Sequence, residues 1–431
     1  MTPRLLVALL AGLPPALPAQ DQPIAFTGAT VLPISGPAIA DGTVLVHRGR
    51  ILAVGADVAV PADARRVDLS GKVVMPGLVD THSHVGQVAG ADRSGPIQPD
   101  VRALDSINVR HSGIAKARAG GITTVNVMPG SGHLLSGQTL YLKLRRGDHV
   151  DDLAIRLDDG SLAGGIKMAN GTNPLRDAPF PGTRGKSAAL MRAQLIAAQE
   201  YCAKRADDDL PAERRPARDL GKEALCEVLD GSRLVHHHTH RHDDIATVLR
   251  LAEEFKLRVV LQHAVEAGLV AERIAAAGVP VSFIVIDSPG GKLETMNARP
   301  DTGAILERAG VLTALHTDDP IVDSRMLLRQ AGLSVRHGMS RDGALAALTL
   351  NGARMLDLAD RVGSLEPGKD ADFIVLDGDP LSVYSKVLET WIEGRRVFDR
   401  ADPADALFAT GGWGAGREQV ATDVLELEAA Q

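Results

Sequence analysis

Between residue 76 and about residue 355, short apolar runs alternate with helix-like stretches rich in Ala, Leu and Arg. The apolar runs predict eight strands, at 73–79, 123–127, 154–157, 165–168, 234–238, 258–262, 279–286 and 311–316. Eight strand–helix repeats of this length favour a (β/α)8 TIM-like barrel of the α/β class. The alternative is an open doubly wound sheet, but no Gly-x-Gly-x-x-Gly follows an early strand.

Both flanks of this middle zone consist of short alternating apolar stretches with turn residues between them, which is typical of a small antiparallel sheet. We expect the flanks to pair as one discontinuous β-sandwich domain, formed by residues 20–75 and 362–400. The barrel would then occupy residues 76–361. Residues 401–431, Gly-rich and then acidic and apolar, are predicted to form a tail.

The first 19 residues have the pattern of an export signal. Arg4 provides a positive start, Leu5 to Leu13 is a short apolar run, and Ala19 precedes a plausible cleavage point. The run is too short to span a bilayer. We therefore expect an exported protein, periplasmic or secreted, without a membrane anchor. The alternative is a frayed apolar N-terminus of a cytoplasmic protein.

Composition excludes several classes. The chain has 431 residues, a formal charge of -7 and only 3% aromatic residues. Nucleic-acid binding needs a basic face and stacking platforms, so we expect no such partner. Two cysteines exclude a disulfide scaffold and a four-cysteine zinc site. Cys202 and Cys226 either pair under oxidising conditions or remain separate buried thiols.

Residues able to bind metals recur at the ends of the predicted strands. In a barrel, the carboxyl ends of all strands converge on one rim, so these scattered positions are predicted to form one cluster. The predicted metal-ligating residues are His82, His84, Lys167, His238, His263 and Asp318.

Imidazole and carboxylate ligands suit a catalytic divalent ion, with zinc the default and manganese, iron or nickel as alternatives. His82, His84 and Asp318 would bind one ion, and His238 and His263 a second. An ammonium cannot bind a metal. We therefore predict that neighbouring cations lower the pKa of Lys167, and that its neutral amine adds carbon dioxide to give an N-carboxylate bridging both ions. An ordinary salt-bridged lysine is the alternative.

The run of histidines from His236 to His242 leaves two questions open. His238 is favoured over His240 as the ligand because it lies nearer the strand end, although both share one face of the strand. The other histidines of the run could form a surface tract that is solvated or binds metals loosely.

Two motifs resemble the metal-dependent amidohydrolase superfamily. They are Val-Val-Met-Pro-Gly-Leu-Val-Asp-Thr-His-Ser-His at 73–84 and Val-Gly-Ser-Leu-Glu-Pro-Gly-Lys-Asp-Ala-Asp-Phe-Ile-Val-Leu at 362–376. The spacing of 83 residues from His84 to Lys167 is similar to that of members with a carboxylated lysine, such as dihydroorotase and hydantoinase. The stretches 165–174 and 239–245 look like the exported, imidazolonepropionase-like branch, although His242 stands where that branch more often has Ala.

The resemblance implies hydrolysis of a C–N bond in a small amide-like molecule by metal-activated water at a binuclear site. Asp318 would bind one ion and act as the general base. Dipeptides, cyclic imides and N-acyl amino acids remain open as substrates. The alternatives are a mononuclear, deaminase-like hydrolase of the same fold and a non-catalytic exported barrel that binds a metal or ligand. Residues 169–226 read as an insertion that either covers the barrel mouth or forms a homo-oligomer contact.

Overall fold

A computed structural model of the chain describes residues 22–86, 92, 94–286, 292–412 and 414–415. The predicted signal peptide at 1–19 and residues 416–431 of the predicted tail lie outside the described residues. None of the helices in the described part of the chain is long and apolar enough to cross a bilayer.

The strands that the described residues form are numbered in chain order. They are β1 (Ile24–Val31), β2 (Ile39–His47), β3 (Arg50–Gly55), β4 (Arg65–Asp68), β5 (Val73–Pro76), β6 (Leu78–Ser83), β7 (Ile122–Val127), β8 (Leu135–Gln138), β9 (Leu140–Lys143), β10 (Ile166–Ala169), β11 (Val235–Thr239), β12 (Val259–His263), β13 (Val281–Phe283), β14 (Thr313–Leu315), β15 (Phe373–Leu376), β16 (Val387–Ile392) and β17 (Arg395–Asp399).

The α-helices of the same residues lie mostly between the strands of the middle zone. They are α1 (Ser112–Ala119), α2 (Val150–Leu153), α3 (Arg184–Ala206), α4 (Leu220–Leu229), α5 (His242–Phe255), α6 (Ala271–Ala276), α7 (Thr302–Arg308), α8 (Leu327–Arg336), α9 (Arg341–Leu348), α10 (Leu350–Met355) and α11 (Pro403–Thr410). Single 3-10 turns occur at Ala103–Asp105, Ala212–Arg214, Ala267–Val270, Leu293–Thr295 and Ser324–Met326.

One sheet joins the two flanks of the chain. Its strand order is β17-β16-β15-β5-β1-β2-β3, with β4 paired to β1. β5 is the junction, because it runs parallel to β1 and antiparallel to β15, with Val74 opposite Val375. A small aromatic core covers this sheet, where the Phe26 ring lies 4.8 Å from Phe373 and 4.9 Å from Trp391. The flanks thus form one mixed sheet by strand pairing.

The middle zone forms two further sheets and a TIM-barrel-like α/β fold with mixed strand directions. β14-β13-β12-β11-β10-β8 is one sheet, and β6-β7-β9 is the other. Most neighbours are parallel, but β8 runs antiparallel to β10 and β9 antiparallel to β7. Backbone hydrogen bonds from Asp318 N to His82 O (2.9 Å) and from His84 N to Asp319 O (3.2 Å) connect the end of β14 to the end of β6.

The prediction of a strand at 154–157 is wrong. Those residues make only isolated bridges, at Ala154 and Arg156, and Leu157 is 44% exposed. The third position between β7 and β10 is taken instead by β8 and β9, which Thr139 separates. The sequence analysis did not predict these two strands, because each has only four residues and runs antiparallel to its neighbour, whereas the predicted repeat consists of parallel strands followed by helices.

A buried ion cluster connects β9 to the sheet of the chain ends. Lys143 is fully buried and pairs with Asp370, with Asp372 at 3.1 Å and with Glu393 at 3.2 Å. Arg145 adds a second cation at 2.7 Å from Glu393. Because a buried charge is unfavourable unless it is paired, these contacts favour a fixed arrangement of the two parts.

The two cysteines form a disulfide. Cys202 near the end of α3 is bonded to Cys226 in α4, with the Cα atoms 5.7 Å apart. This resolves the alternative between a bonded pair and two separate thiols. The bond ties together the two helices of the predicted insertion.

Candidate metal centre

Three of the predicted ligands meet where β6 and β14 end. His84 Nε2 lies 3.0 Å from Asp318 Oδ1, and His82 Nε2 lies 3.3 Å from the same oxygen. One donor atom from each side chain falls within 4.8 Å of the other two. Two imidazoles and a carboxylate at such distances match the ligand set of a catalytic zinc ion with an open position.

Lys167 lies beside this group. It is fully buried in β10, with Nζ 3.0 Å from His82 Nε2 and 3.0 Å from Met128 Sδ. Burial lowers the pKa of this amine to about 7. A substantial neutral fraction is therefore available near neutral pH.

His263 and His238 continue the cluster toward the other side of the fold. The His263 ring lies 4.6 Å from His82 and 4.7 Å from His238, and its Nδ1 is 3.8 Å from Asp318 Oδ2. Both ring nitrogens of His238 are buried without a hydrogen-bond partner. Such orphaned atoms are rare in folded proteins, and in this acceptor-rich setting they fit a bound cation. All six predicted residues therefore lie in one connected group.

The backbone is strained at two of these residues. His263 and Asp318 adopt φ values of 65° and 51°, in the left-handed region that side chains other than glycine seldom occupy. Residues in this region each cost about 1–3 kcal/mol and cluster at functional sites. The strain supports a functional role for the two strand ends.

Hydrogen bonds from neighbouring groups hold the first ligands in place. His84 Nδ1 donates to Met128 O at 2.7 Å, and His82 Nδ1 donates to Gln262 Oε1 at 3.2 Å. Because Nδ1 of each ring donates to these acceptors, Nε2 is the nitrogen that faces Asp318 and that can bind an ion once it is deprotonated. The fully buried Gln262 is a residue that sequence reasoning missed.

Electrostatics set the protonation state of the carboxylate. Burial raises the pKa of Asp318, but the hydrogen bond from His84 and the nearby charges of the histidines and Lys167 outweigh it, and the pKa falls below its ordinary value. Asp318 is therefore ionised near neutral pH. Asp80 differs, because burial raises its pKa to about 7 while it accepts hydrogen bonds from Thr317 N and Oγ1.

Three further side chains of the site were not among the predicted ligands. His316 Nε2 lies 3.0 Å from His263 Nδ1 and its Nδ1 is 2.7 Å from Ser282 Oγ. His240 and Glu294 form a donor group with His238. The signal for His316 is its position directly after β14 and two residues before Asp318. Glu294 follows no strand closely and has no comparable signal.

The first residues of the histidine run at 236–242 are not exposed to solvent. His236 and His237 are buried, and His236 hydrogen-bonds with Tyr141 Oη (2.8 Å) and Gln262 Nε2 (3.1 Å). The surface interpretation is wrong for both, because β11 carries them into the interior. His242 is half exposed and pairs with Glu266 at 2.7 Å.

A cavity of about 440 Å³ opens beside the cluster. Its lining includes His238, His240, His263 and Asp318. The remaining lining is largely apolar and also contains the cations Lys292 and Arg299. The volume is sufficient for a small molecule next to the ligands.

Fold and site together define a hydrolase-type metal centre at the rim of a TIM-barrel-like fold, and comparison with known proteins agrees. A model of the amidohydrolase family matches residues 211–398. The crystal structure of an amidohydrolase from Thermotoga maritima is 35% identical, with a TM-score of 0.82 over 88% of this chain and 100% of that one. The chain therefore belongs to the amidohydrolase family.

Curated relatives are more distant. The amidohydrolase tasK of Hapsidospora irregularis is 29% identical over 397 residues, and the match covers 83% of this chain but only 40% of that protein. An imidazolonepropionase of Pseudomonas putida is 28% identical over 372 residues, with 78% of this chain and 88% of the relative covered. These similarities support metal-dependent hydrolysis of C–N bonds as the class of chemistry.

Proposed function

We propose that the protein is a metal-dependent hydrolase that cleaves a C–N bond in a small amide, cyclic amide or peptide. The observation that carries the proposal is the convergence of His82, His84 and Asp318 within 4.8 Å beside a cavity. A divalent ion bound there would supply a water of lowered pKa as nucleophile near neutral pH.

The chain's own residues then have defined tasks. The ionised Asp318 accepts a proton from the nucleophile and returns it to the leaving nitrogen. Met128 O and Gln262 fix the rings of His84 and His82 through their Nδ1 protons. The apolar cavity wall holds the substrate and limits access of bulk water.

The resemblance adds a second ion bound by His238 and His263 and bridged to the first by carboxylated Lys167. The position of the amine, 3.0 Å from His82 Nε2, supports a tether at this point. Zinc is the proposed metal for both ions. A single ion at His82, His84 and Asp318 would instead give a mononuclear hydrolase, and the number of bound ions separates the two forms.

We also propose that the mixed sheets of the middle zone close as a (β/α)8-type barrel, with the sheet of the chain ends as a sandwich. The hydrogen bond between Asp318 N and His82 O supports closure. Export is proposed as well, since the disulfide between Cys202 and Cys226 is a bond that persists in oxidising compartments.

Metal analysis coupled to a hydrolysis screen tests the function. Purified protein loaded with Zn²⁺ is assayed over dipeptides, lactams and N-acyl amino acids. Asp318→Asn should retain less metal and lose about 10²–10⁴-fold in activity, the usual contribution of a general base. Asp148→Asn, whose side chain pairs with Arg110 at the surface, is the matched control and should behave as wild type.

Two results would contradict the proposal. One is wild-type protein that binds no metal after loading. The other is metal uptake without turnover on any amide, which would favour the non-catalytic barrel.

A further inference from the structure

Two cations lie in the lining of the cavity beside the metal centre, and they differ in their partners. Arg299 donates two hydrogen bonds to the carboxylate of Asp301, at 2.8 and 2.7 Å. Lys292 pairs with no carboxylate of the described residues, and its Nζ donates instead to the amide oxygen of Asn173 at 2.8 Å. The ammonium of Lys292 is therefore a charge at the cavity that no described carboxylate neutralises.

The backbone and the ammonium of Lys292 are both held in place. Its carbonyl oxygen accepts from Thr295 N at 3.1 Å and from Thr295 Oγ1 at 2.9 Å, where the 3-10 turn Leu293–Thr295 begins. Asn173, which accepts from the ammonium, donates to Ser131 Oγ at 2.7 Å. An ammonium has three N–H donors, and Asn173 is the acceptor that the described residues provide. Two donors are thus left for a ligand.

The charges around the cavity favour an anionic ligand. A carboxylate supplies acceptor oxygens and a charge opposite to that of Lys292, and such charge-assisted hydrogen bonds are about twice as strong as neutral ones. Among the described residues of the lining, the one carboxylate is Asp318, a predicted metal ligand. A ligand ammonium would therefore have no carboxylate to itself, and Lys292 and Arg299 would repel it.

Much of the remaining lining suits an uncharged apolar group. Val265 and Phe283 are buried side chains of the lining, whereas Met296 and Ile321 are 68% and 58% exposed. Large apolar side chains exposed beside a cavity are typical of a binding groove. An acyl group lying there would cover them, and a cavity of about 440 Å³ accommodates a small acylated molecule.

We propose that the substrate is an N-acyl amino acid, whose carboxylate binds the ammonium of Lys292 and whose uncharged acyl group lies on the apolar lining. The inference rests on the proposed function and narrows it, because a dipeptide carries an ammonium and a simple lactam or cyclic imide lacks the carboxylate. Hydrolysis breaks the bond between the acyl carbon and the nitrogen. Water supplies a hydroxyl group to the carbon and a proton to the nitrogen, which gives a carboxylic acid and a free amino acid.

Three ligands that share one amide bond test the inference. N-propionyl-leucine has the carboxylate, N-propionyl-leucinol has a hydroxymethyl group in its place, and alanyl-leucine adds an ammonium to the acyl group. Matched sets built on methionine and phenylalanine, in both enantiomers, vary the apolar side chain. The zinc-loaded full chain is used, with KM measured for ligands that are hydrolysed and Kd by calorimetry for those that are not.

Wild type should have a KM or Kd for the N-propionyl amino acid at least about 10-fold lower than for the other two ligands of a set, the contribution of one hydrogen bond to a charged group. Lys292→Met should raise the value for the acid by at least about 10-fold and leave the value for the alcohol unchanged. Lys292→Arg keeps the positive charge and should keep the preference for the acid.

The matched control is Lys204→Met, at an exposed lysine of α3, and it should behave as wild type. Bound zinc and thermal unfolding are measured for every variant, which verifies that the metal centre and the fold are retained. The comparison of acid, alcohol and dipeptide in wild type needs no variant.

The inference is overturned if wild type binds the alcohol or the dipeptide as tightly as the acid, if no acid of the sets binds, or if Lys292→Met keeps the preference for the carboxylate. Hydrolysis of neutral amides without dependence on Lys292 would overturn it and leave the proposed function intact. Failure of the proposed function has a separate signature, namely binding of the acid that depends on Lys292 without any hydrolysis.

Discussion

The amine of Lys167 lies 3.0 Å from Nε2 of His82, a predicted metal ligand, in the buried interior of the fold. A charged ammonium at that point would oppose a bound cation. Burial lowers the pKa of Lys167 to about 7, so the neutral amine becomes the main form as the pH rises above that value.

We therefore predict that Lys167 is carboxylated above about pH 7 and progressively less so below it. Protein incubated with ¹³C-labelled bicarbonate should show a carbamate signal by NMR, and Lys167→Ala should lack that signal. Activity lost in Lys167→Ala should return in part when a small carboxylic acid is added. Full activity in the untreated variant would show that the lysine has no bridging role.

A chain of buried hydrogen bonds leads from Tyr141 through His236 and Gln262 to His82. Gln262→Leu removes the acceptor for His82 Nδ1 and should weaken binding of the ion at His82 by about 10–100-fold. Competition with a zinc chelator measures this change. Gln138→Leu, whose amide bonds to Pro99 O, should not change zinc affinity, and equal affinity in both variants would argue against an orienting role for Gln262.

The disulfide between Cys202 and Cys226 closes a loop with a sequence separation of 24. Replacing both cysteines with serine should lower the free energy of unfolding by about 2–4 kcal/mol, because the unfolded chain regains freedom. Denaturant unfolding without reductant measures the loss. Adding reductant should destabilise wild type but not the double variant. Equal stability of the two proteins would show that packing of α3 on α4 suffices.

Acid should weaken the contact between β9 and the sheet of the chain ends. Burial raises the pKa of Glu393, but the hydrogen bond from Arg145 and the charge of Lys143 outweigh it and bring the pKa from 4.5 to about 2. A carboxylate whose pKa is lower in the folded than in the unfolded chain stabilises the fold at pH values above its unfolded-state pKa. This stabilisation is lost as the pH falls through its folded-state pKa.

Glu393→Gln should accordingly lower the free energy of unfolding by about 1–3 kcal/mol at pH 7. The difference from wild type should shrink as the pH falls from about 4.5 toward 2. Unfolding curves across this range test the prediction. Asp357→Asn, at an exposed pair with Arg258, should have little effect at any pH. A pH-independent difference for Glu393→Gln would mean that its packing, rather than its charge, matters.

Sequence reasoning was effective where the physical rule is local or periodic. The family resemblance is confirmed by the comparisons. His82, His84 and Asp318 lie together as predicted, because backbone hydrogen bonds bring the end of β14 to the end of β6.

The sequence analysis was less effective where contacts depend on loops or on antiparallel strands. β8 and β9 run antiparallel, a choice that no local pattern signals. Glu294 reaches the site from a 3-10 turn after β13, and Gln262 reads as an ordinary strand residue until its partner His82 is known. The choice between His238 and His240 was open because both point the same way, and the structure places both in one donor group.

Only Gly77 separates β5 from β6, so the sheet of the chain ends continues directly into the first ligand-bearing strand. A protein that ended before residue 370 would lose β15 from the edge of β5 and all three carboxylate partners of Lys143, namely Asp370, Asp372 and Glu393. The middle zone would then contain a buried cation without a carboxylate partner, and β5 would keep only its pairing with β1. The sheet of the chain ends is thus needed for the fold of the middle zone, and a protein without β15, β16 and β17 should not be a working unit.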